Sequence, residues 1–166
     1  MDKSLSGKQA FPVRDQTLDL SSPQIMGILN ATPDSFSDGG DFNEVESALG
    51  RIGLMVSQGA SIIDIGGEST RPGSEPVTEQ QELDRVRPIF EKAIAQFPNT
   101  LFSIDTTKYR VAAEALKLGA HIVNDVSGLQ KEPRFVDLCK QYRAGYVMMH
   151  SQGNPKTMQD NPSYED

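Results

Sequence analysis

Apolar positions along this chain recur in two alternating rhythms. Five short runs, around Ile25 to Leu29, Ile62 to Ile65, Leu101 to Ile104, His121 to Val123 and Tyr146 to Met149, are too brief for helices and end in polar or glycine-rich loops, so they read as strands. Between them, apolar residues return at helical spacing. One such face is Val45, Ala48, Leu49, Ile52, Met55 and Val56; the second is Leu83, Val86, Phe90, Ala93 and Ile94; the third is Val111, Ala112, Ala115 and Leu116; the fourth is Phe135, Val136, Leu138 and Cys139. Asn43 with Glu46, and Thr78 with Gln81, have the spacing of capping boxes, while Gly59 and Gly119 mark helix ends. Thr106 or Thr107 is expected to cap the third helix, Pro133 to sit in the first turn of the fourth, and Pro88 to kink the second.

Residues 1–22 read as a tail up to about Gly7 followed by a short hairpin, with Phe11, Val13, Leu18 and Leu20 alternating with polar residues and lying over one end of the core. Residues 23–166 then form part of one α/β domain, strand and helix alternating four times before a fifth strand. That order predicts a parallel sheet with right-handed crossovers. A faint repeat supports it: Gln58-Gly59-Ala60-Ser61-Ile62-Ile63-Asp64 and Leu118-Gly119-Ala120-His121-Ile122-Val123-Asn124 share a helix stop, a short apolar strand and a polar end. Two architectures satisfy the pattern, a complete flavodoxin-like sheet and the first five strands of a (β/α)₈ barrel. Length favours the first. The second is favoured by Asn30, Asp64, Asp105, Asn124 and His150, polar groups that fall near successive strand ends, where a barrel gathers its site.

Composition narrows the partners. A formal charge of −7 argues against nucleic acid, and no apolar run is long enough for a membrane span. Met1-Asp2-Lys3-Ser4 opens no apolar signal segment, so a cytoplasmic protein is expected. The single cysteine, Cys139, leaves no internal disulfide and reads as a buried thiol.

Asp64, Asp105 and Asn124 together can hydrogen-bond a polar heterocycle, because carboxylates accept paired N–H donors and an amide both donates and accepts. Asp105 also reads as a simple helix cap. Asn30 offers a neutral oxygen to a hard cation such as Mg²⁺, and Arg71 offers a fork for phosphate or carboxylate within a flexible loop. Neither polar loop matches a nucleotide-binding glycine fingerprint. His121 should lie at the opposite end of the sheet and be structural, and Lys108 and Arg110 read as a solvated helix face.

The stretch Ile25-Met26-Gly27-Ile28-Leu29-Asn30-Ala31-Thr32-Pro33-Asp34-Ser35-Phe36-Ser37-Asp38-Gly39-Gly40 resembles the first signature of the dihydropteroate synthase family, with Ala31 where many members have Val. Gly59 to Gly73, with Gly66-Gly67-Glu68-Ser69-Thr70-Arg71-Pro72-Gly73 at its end, resembles the second. Ser103-Ile104-Asp105-Thr106, Ile122 to Gly128 and Met148-Met149-His150 are similar to later strand ends of the family. The resemblance implies a (β/α)₈ TIM barrel of which this chain is the amino-terminal portion. It further implies condensation of 6-hydroxymethyl-7,8-dihydropterin diphosphate with 4-aminobenzoate in folate synthesis, with Mg²⁺ as cofactor and a homodimer at full length. By motif position, Asp105 and Asn124 would bind the pterin, and Asn30 would hold Mg²⁺. Thr70 and Arg71 would lie near the diphosphate, Arg71 being catalytic. Asp38 with Asp105 would stabilise positive charge on the pterin methylene, and Ser35, Phe36 and Pro72 would line the aminobenzoate pocket. Two alternatives remain: the pterin-binding barrel of a corrinoid methyltransferase, and a truncated pterin-binding or interaction fragment without activity of its own.

Overall fold

The computed structural model describes residues 9–32, 41–69 and 75–150. Strands β1 (Ala10–Val13) and β2 (Gln16–Asp19) form an antiparallel hairpin turning at Arg14 and Asp15. The parallel sheet follows, built from β3 (Met26–Asn30), β4 (Ile62–Gly66), β5 (Leu101–Asp105), β6 (Ile122–Asp125) and β7 (Gly145–Met148). The intervening helices are α1 (Asp41–Ser57), α2 (Glu79–Gln96), α3 (Tyr109–Leu118) and α4 (Phe135–Tyr142).

The order of the sheet decides between the two architectures. All five strands are hydrogen-bonded in chain order, from β3 to β7. A flavodoxin-like sheet places its first strand between the second and third, whereas a barrel adds each strand beside the last. The sheet is therefore an arc of a barrel.

Helix ends follow the sequence in part. Thr78 and Gln81 form a reciprocal capping box at the start of α2, and Gly59 adopts a positive φ of 100° just after α1. Three boundaries differ from expectation. Helix α1 begins at Asp41, two residues before Asn43. Helix α3 is preceded by Lys108 as its N-cap, because the Thr106 hydroxyl is used to accept the Lys108 N–H at 3.1 Å and so closes the turn before the helix starts. Pro133 lies ahead of α4, whose N-cap is Arg134, and Val136 is exposed while Phe135, Leu138 and Cys139 are buried. Pro88 leaves α2 one continuous helix, since the burial of Leu83, Val86, Ile89, Phe90 and Ala93 along one face supports it despite a missing backbone donor.

Alternation along each strand sorts the side chains onto two faces. Leu29, Ile63, Ile65, Phe102, Ile104 and Val123 pack against the helices, with Phe90 of α2 edge-on to Phe102 at 6.4 Å between ring centres. On the opposite face, Ile62, Leu101 and Ile122 form a second cluster at the strand beginnings with Val13 of the hairpin, joined by Phe11, Leu18 and Met26. The hairpin thus covers this end of the inner face. Gly145 makes that contact possible: a Cβ there would come within 2.7 Å of the Phe11 ring. The Arg14 guanidinium fastens the turn by donating to the Leu116 and Ala120 carbonyls at 2.7 and 2.9 Å.

His121 belongs to the same end and is structural. Its Nδ1 accepts the Phe102 N–H at 3.1 Å, and the Gln16 side-chain nitrogen lies 3.2 Å from the ring Nε2. Burial, aided by the Arg14 charge, holds its pKa below the ordinary histidine value. The unfolded chain therefore takes up this proton first as pH falls. The stability that the neutral ring contributes is present above about pH 6.5 and is lost progressively below it. Urea-unfolding midpoints measured from pH 7.5 to 5 should fall with acid, and His121→Asn should flatten that fall.

Candidate active site

Opposite the hairpin, the inner face turns polar. Strand register puts Asn30 beside Gly66, Gly66 beside Asp105 and Asp105 beside Asn124, so these four positions form one row at the strand ends. One row deeper, by roughly 6–7 Å along the strands, Ile28 pairs with Asp64, Asp64 with Ser103 and Ser103 with Ile122. The sequence placed Asp64 with the others near the mouth. The structure sets it beneath them, as the middle residue of β4 and only 3% exposed.

The two rows are tied by one bond, from Asn124 Nδ2 to Asp64 Oδ2 at 2.9 Å. Asp64 Oδ1 and Ser103 Oγ, both buried and on paired residues, meet no full hydrogen-bond geometry among the described residues. Buried polar atoms that are incompletely paired are costly, so this pair is a polar floor beneath the rim. Burial raises the Asp64 pKa above the carboxylate norm, and the neighbouring Ser103 hydroxyl and then the Asn124 amide offset part of that rise. Asp105 is pushed up to about 7 by burial, reinforced by the charges of Asp64, Glu82, Asp125 and Glu68. Gly66 leaves the space in front of that carboxyl open, since a Cβ there would stand 3.4 to 3.5 Å from the Asp105 side chain.

Behind the rim lies a set of ions that the sequence misassigned. Lys108, expected on a solvated face, is instead partly buried and donates to Glu68 and to Glu82, the latter at 2.5 Å. Glu82 has no exposed surface. Its place on the buried stripe of α2 with Val86, Ile89 and Ala93 was the available signal, because a charged residue on an apolar stripe needs a partner. Asp125 was also missed. It points away from the inner face and accepts from the Ser127 N–H and hydroxyl, the Leu129 N–H and the Tyr146 hydroxyl, at 2.6 to 2.8 Å. Burial opposes its charge, but these donors prevail and hold its pKa below the norm. Cys139 is buried, and burial pushes its thiol up to about 11, which makes it unreactive near neutrality.

Asn30 ends β3 with its side chain exposed. Among the described residues no group of three or more acidic, histidine or cysteine side chains is placed to hold a metal ion. A single neutral oxygen suits only a hard cation that draws its other ligands from water and substrate, which is the habit of Mg²⁺. His150 lies two residues beyond β7 and is exposed. Asp38, Ser35, Phe36, Thr70, Arg71 and Pro72 lie outside the described residues.

A chain-ordered parallel sheet, helices on one face and hydrogen-bonding groups at the strand ends of the other, defines a β/α-barrel protein. Residues 26–166 match the family profile described as pterin binding enzyme, and the chain belongs to that family. It is 51% identical over 150 residues to the dihydropteroate synthase of Escherichia coli K12, covering 90% of this chain and 52% of that protein. A Yersinia pestis dihydropteroate synthase solved with a sulfonamide drug superposes with a TM-score of 0.80 at 50% identity, over 95% of this chain and 56% of that one. The Xanthomonas albilineans dihydropteroate synthase solved with 4-aminobenzoic acid gives 0.77 at 42% identity, over 90% and 52%. The chain spans about half the length of the curated relatives it matches. Among its described residues no helix is long and apolar enough to cross a membrane.

Proposed function

We propose that the protein to which these residues belong is a dihydropteroate synthase, a transferase of folate synthesis that joins 6-hydroxymethyl-7,8-dihydropterin diphosphate to 4-aminobenzoate. The observation that carries this reading is the stacked set Asp105, Asn124 and Asp64, with Asp64 and Ser103 buried side by side beneath the rim. A pterin ring presents adjacent N–H donors and ring acceptors along one edge, and that edge matches carboxylates flanked by an amide and a hydroxyl. The curated relatives, named dihydropteroate synthase, favour the synthase over a corrinoid methyltransferase.

In the reaction the C–O bond to diphosphate breaks, a C–N bond to the arylamine forms, and one amine proton is released. Positive charge develops on the pterin methylene as diphosphate leaves. Asp105, ionised above about pH 7 and joined by Asp38, stabilises that charge, so it binds the transition state more strongly than the ground state. Asn124 orients the ring, Thr70 and Arg71 hold the diphosphate, and Ser35, Phe36 and Pro72 line the arylamine pocket. Asn30 would hold Mg²⁺ as its protein ligand, and the ion would supply positive charge against the departing diphosphate. The reading extends to a homodimeric, cytoplasmic enzyme at full length.

Calorimetric titration of this chain with dihydropterin diphosphate and Mg²⁺ tests the site. Saturable heat that disappears in Asp105→Asn is expected. A folded chain that binds no pterin, by circular dichroism and calorimetry together, would overturn the assignment of these residues to the pterin cleft.

A further inference from the structure

Several anchors converge behind Asp105. Lys108 stands three residues past it, and its ammonium lies between Glu68, two residues beyond β4, and Glu82 in the first turn of α2. The backbone N–H of the same lysine donates to Thr106 Oγ1, and the Thr106 N–H donates to the Asn124 carbonyl at 3.1 Å. One residue therefore links α2, the exits of β4 and β5, and the polar end of β6. On the far side, Arg85 donates to the Gly67 carbonyl at 2.7 Å. Gly67 itself sits so close to α2 that a Cβ would come within 2.9 Å of the Glu82 and Val86 side chains.

We propose that Lys108, paired at once with Glu68 and the buried Glu82, is a positioning residue of the candidate site, holding the exits of β4 and β5 in the register that sets the Asp105 carboxyl beside Gly66 and Asn124. The inference rests on the pterin-site reading above. Stability alone does not account for the arrangement, because a buried ion pair contributes little more than apolar residues of equal volume and leaves Glu82 Oε1 without a partner among the described residues. Its location does. The charges that act on Asp105 are Asp64 from β4, Glu68 from the segment after β4, Glu82 from α2 and Asp125 from β6, with Lys108 paired to two of the four. The lysine thus holds two of these carboxylates in place while fixing the backbone on either side of Asp105.

The test is a carboxyl ¹³C NMR titration of Asp105 in the ligand-free protein, in wild type, Glu82→Gln and Lys108→Met, with pterin binding measured separately. Glu82→Gln keeps shape and an acceptor for Lys108 but removes one charge, and should lower the Asp105 midpoint by roughly half a pH unit or more. Lys108→Met should raise it by a similar amount and weaken dihydropterin diphosphate binding about tenfold at pH 8, which is one 1.4 kcal/mol step in affinity. If Lys108→Met does not fold, Lys108→Arg, which keeps the charge and changes its reach, is read by the same midpoint and binding measurements. An Asp105 midpoint unmoved in the folded variants overturns the inference while leaving the pterin site intact. Absence of pterin binding by wild type overturns the functional reading instead, and the titration still reports on the positioning.

Discussion

Replacing Asp105 with Asn is expected to stabilise the protein above neutral pH while removing its hold on a pterin. The folded-state pKa of this carboxyl is about 7 against an ordinary 3.8, raised by burial and by neighbouring carboxylates. The native state therefore keeps the proton over a range where the unfolded chain has lost it. The stability linked to that proton is complete below about pH 4 and is lost as pH rises through about 7. At pH 8 the folded protein carries the full penalty of an ionised group in an unfavourable place. At 1.36 kcal/mol per pKa unit the ceiling is about 4 kcal/mol, and partial exposure reduces the expected gain for the Asn variant to roughly 2–4 kcal/mol. Denaturant titrations at pH 8 and pH 5 should show the variant ahead of wild type at the higher pH and the gap narrowing at the lower. Binding should move the other way, weakening by about 100-fold or more, because an amide cannot accept two N–H donors as a carboxylate does. A variant neither stabilised at pH 8 nor impaired in binding would show that Asp105 does not carry this strain for function.

Asp125→Ala should be the most damaging single change near the site. Four donors converge on this fully buried carboxylate, from Ser127, Leu129 and Tyr146, and all lose their acceptor together. A loss of about 3–5 kcal/mol is expected, the range for breaking a buried charged network by removing one member. The depressed pKa adds a pH signature: the contribution of Asp125 is present above about pH 4 and fades as acid titrates it, so wild type and variant should converge in stability at low pH. A double-mutant cycle with Tyr146→Phe should give a coupling of about 1–3 kcal/mol, since the two groups meet at 2.6 Å. The loop after β6 is held to the end of β7 by the same network, for Met149 N–H donates to the Asp125 carbonyl and Gly128 passes so close that a Cβ would lie 2.7 Å from the Met149 carbonyl. Asn124 is the adjacent residue, so pterin binding by Asp125→Ala should also weaken. Additive effects in the cycle would show that Tyr146 and Asp125 act separately.

Much of the barrel arc was legible in the residues. Period-two and period-3.6 patterns are local, and they gave the strands and helices with most of their buried faces, from Val45 through Ile52 and from Leu83 through Ala93. The polar residues near the strand ends, Asn30, Asp105 and Asn124, were equally visible, as was the structural role of His121. Tertiary structure decided what periodicity does not encode. The chain order of the sheet separated a barrel from a flavodoxin-like fold, because strand adjacency depends on contacts between residues far apart in sequence. The depth of Asp64 followed from register, which shifts a side chain by a whole row without altering any local pattern. Lys108 looked like a surface residue because its partners, Glu68 and Glu82, lie 40 and 26 positions away, and only packing α2 and α3 against the same strand exits brings those charges together.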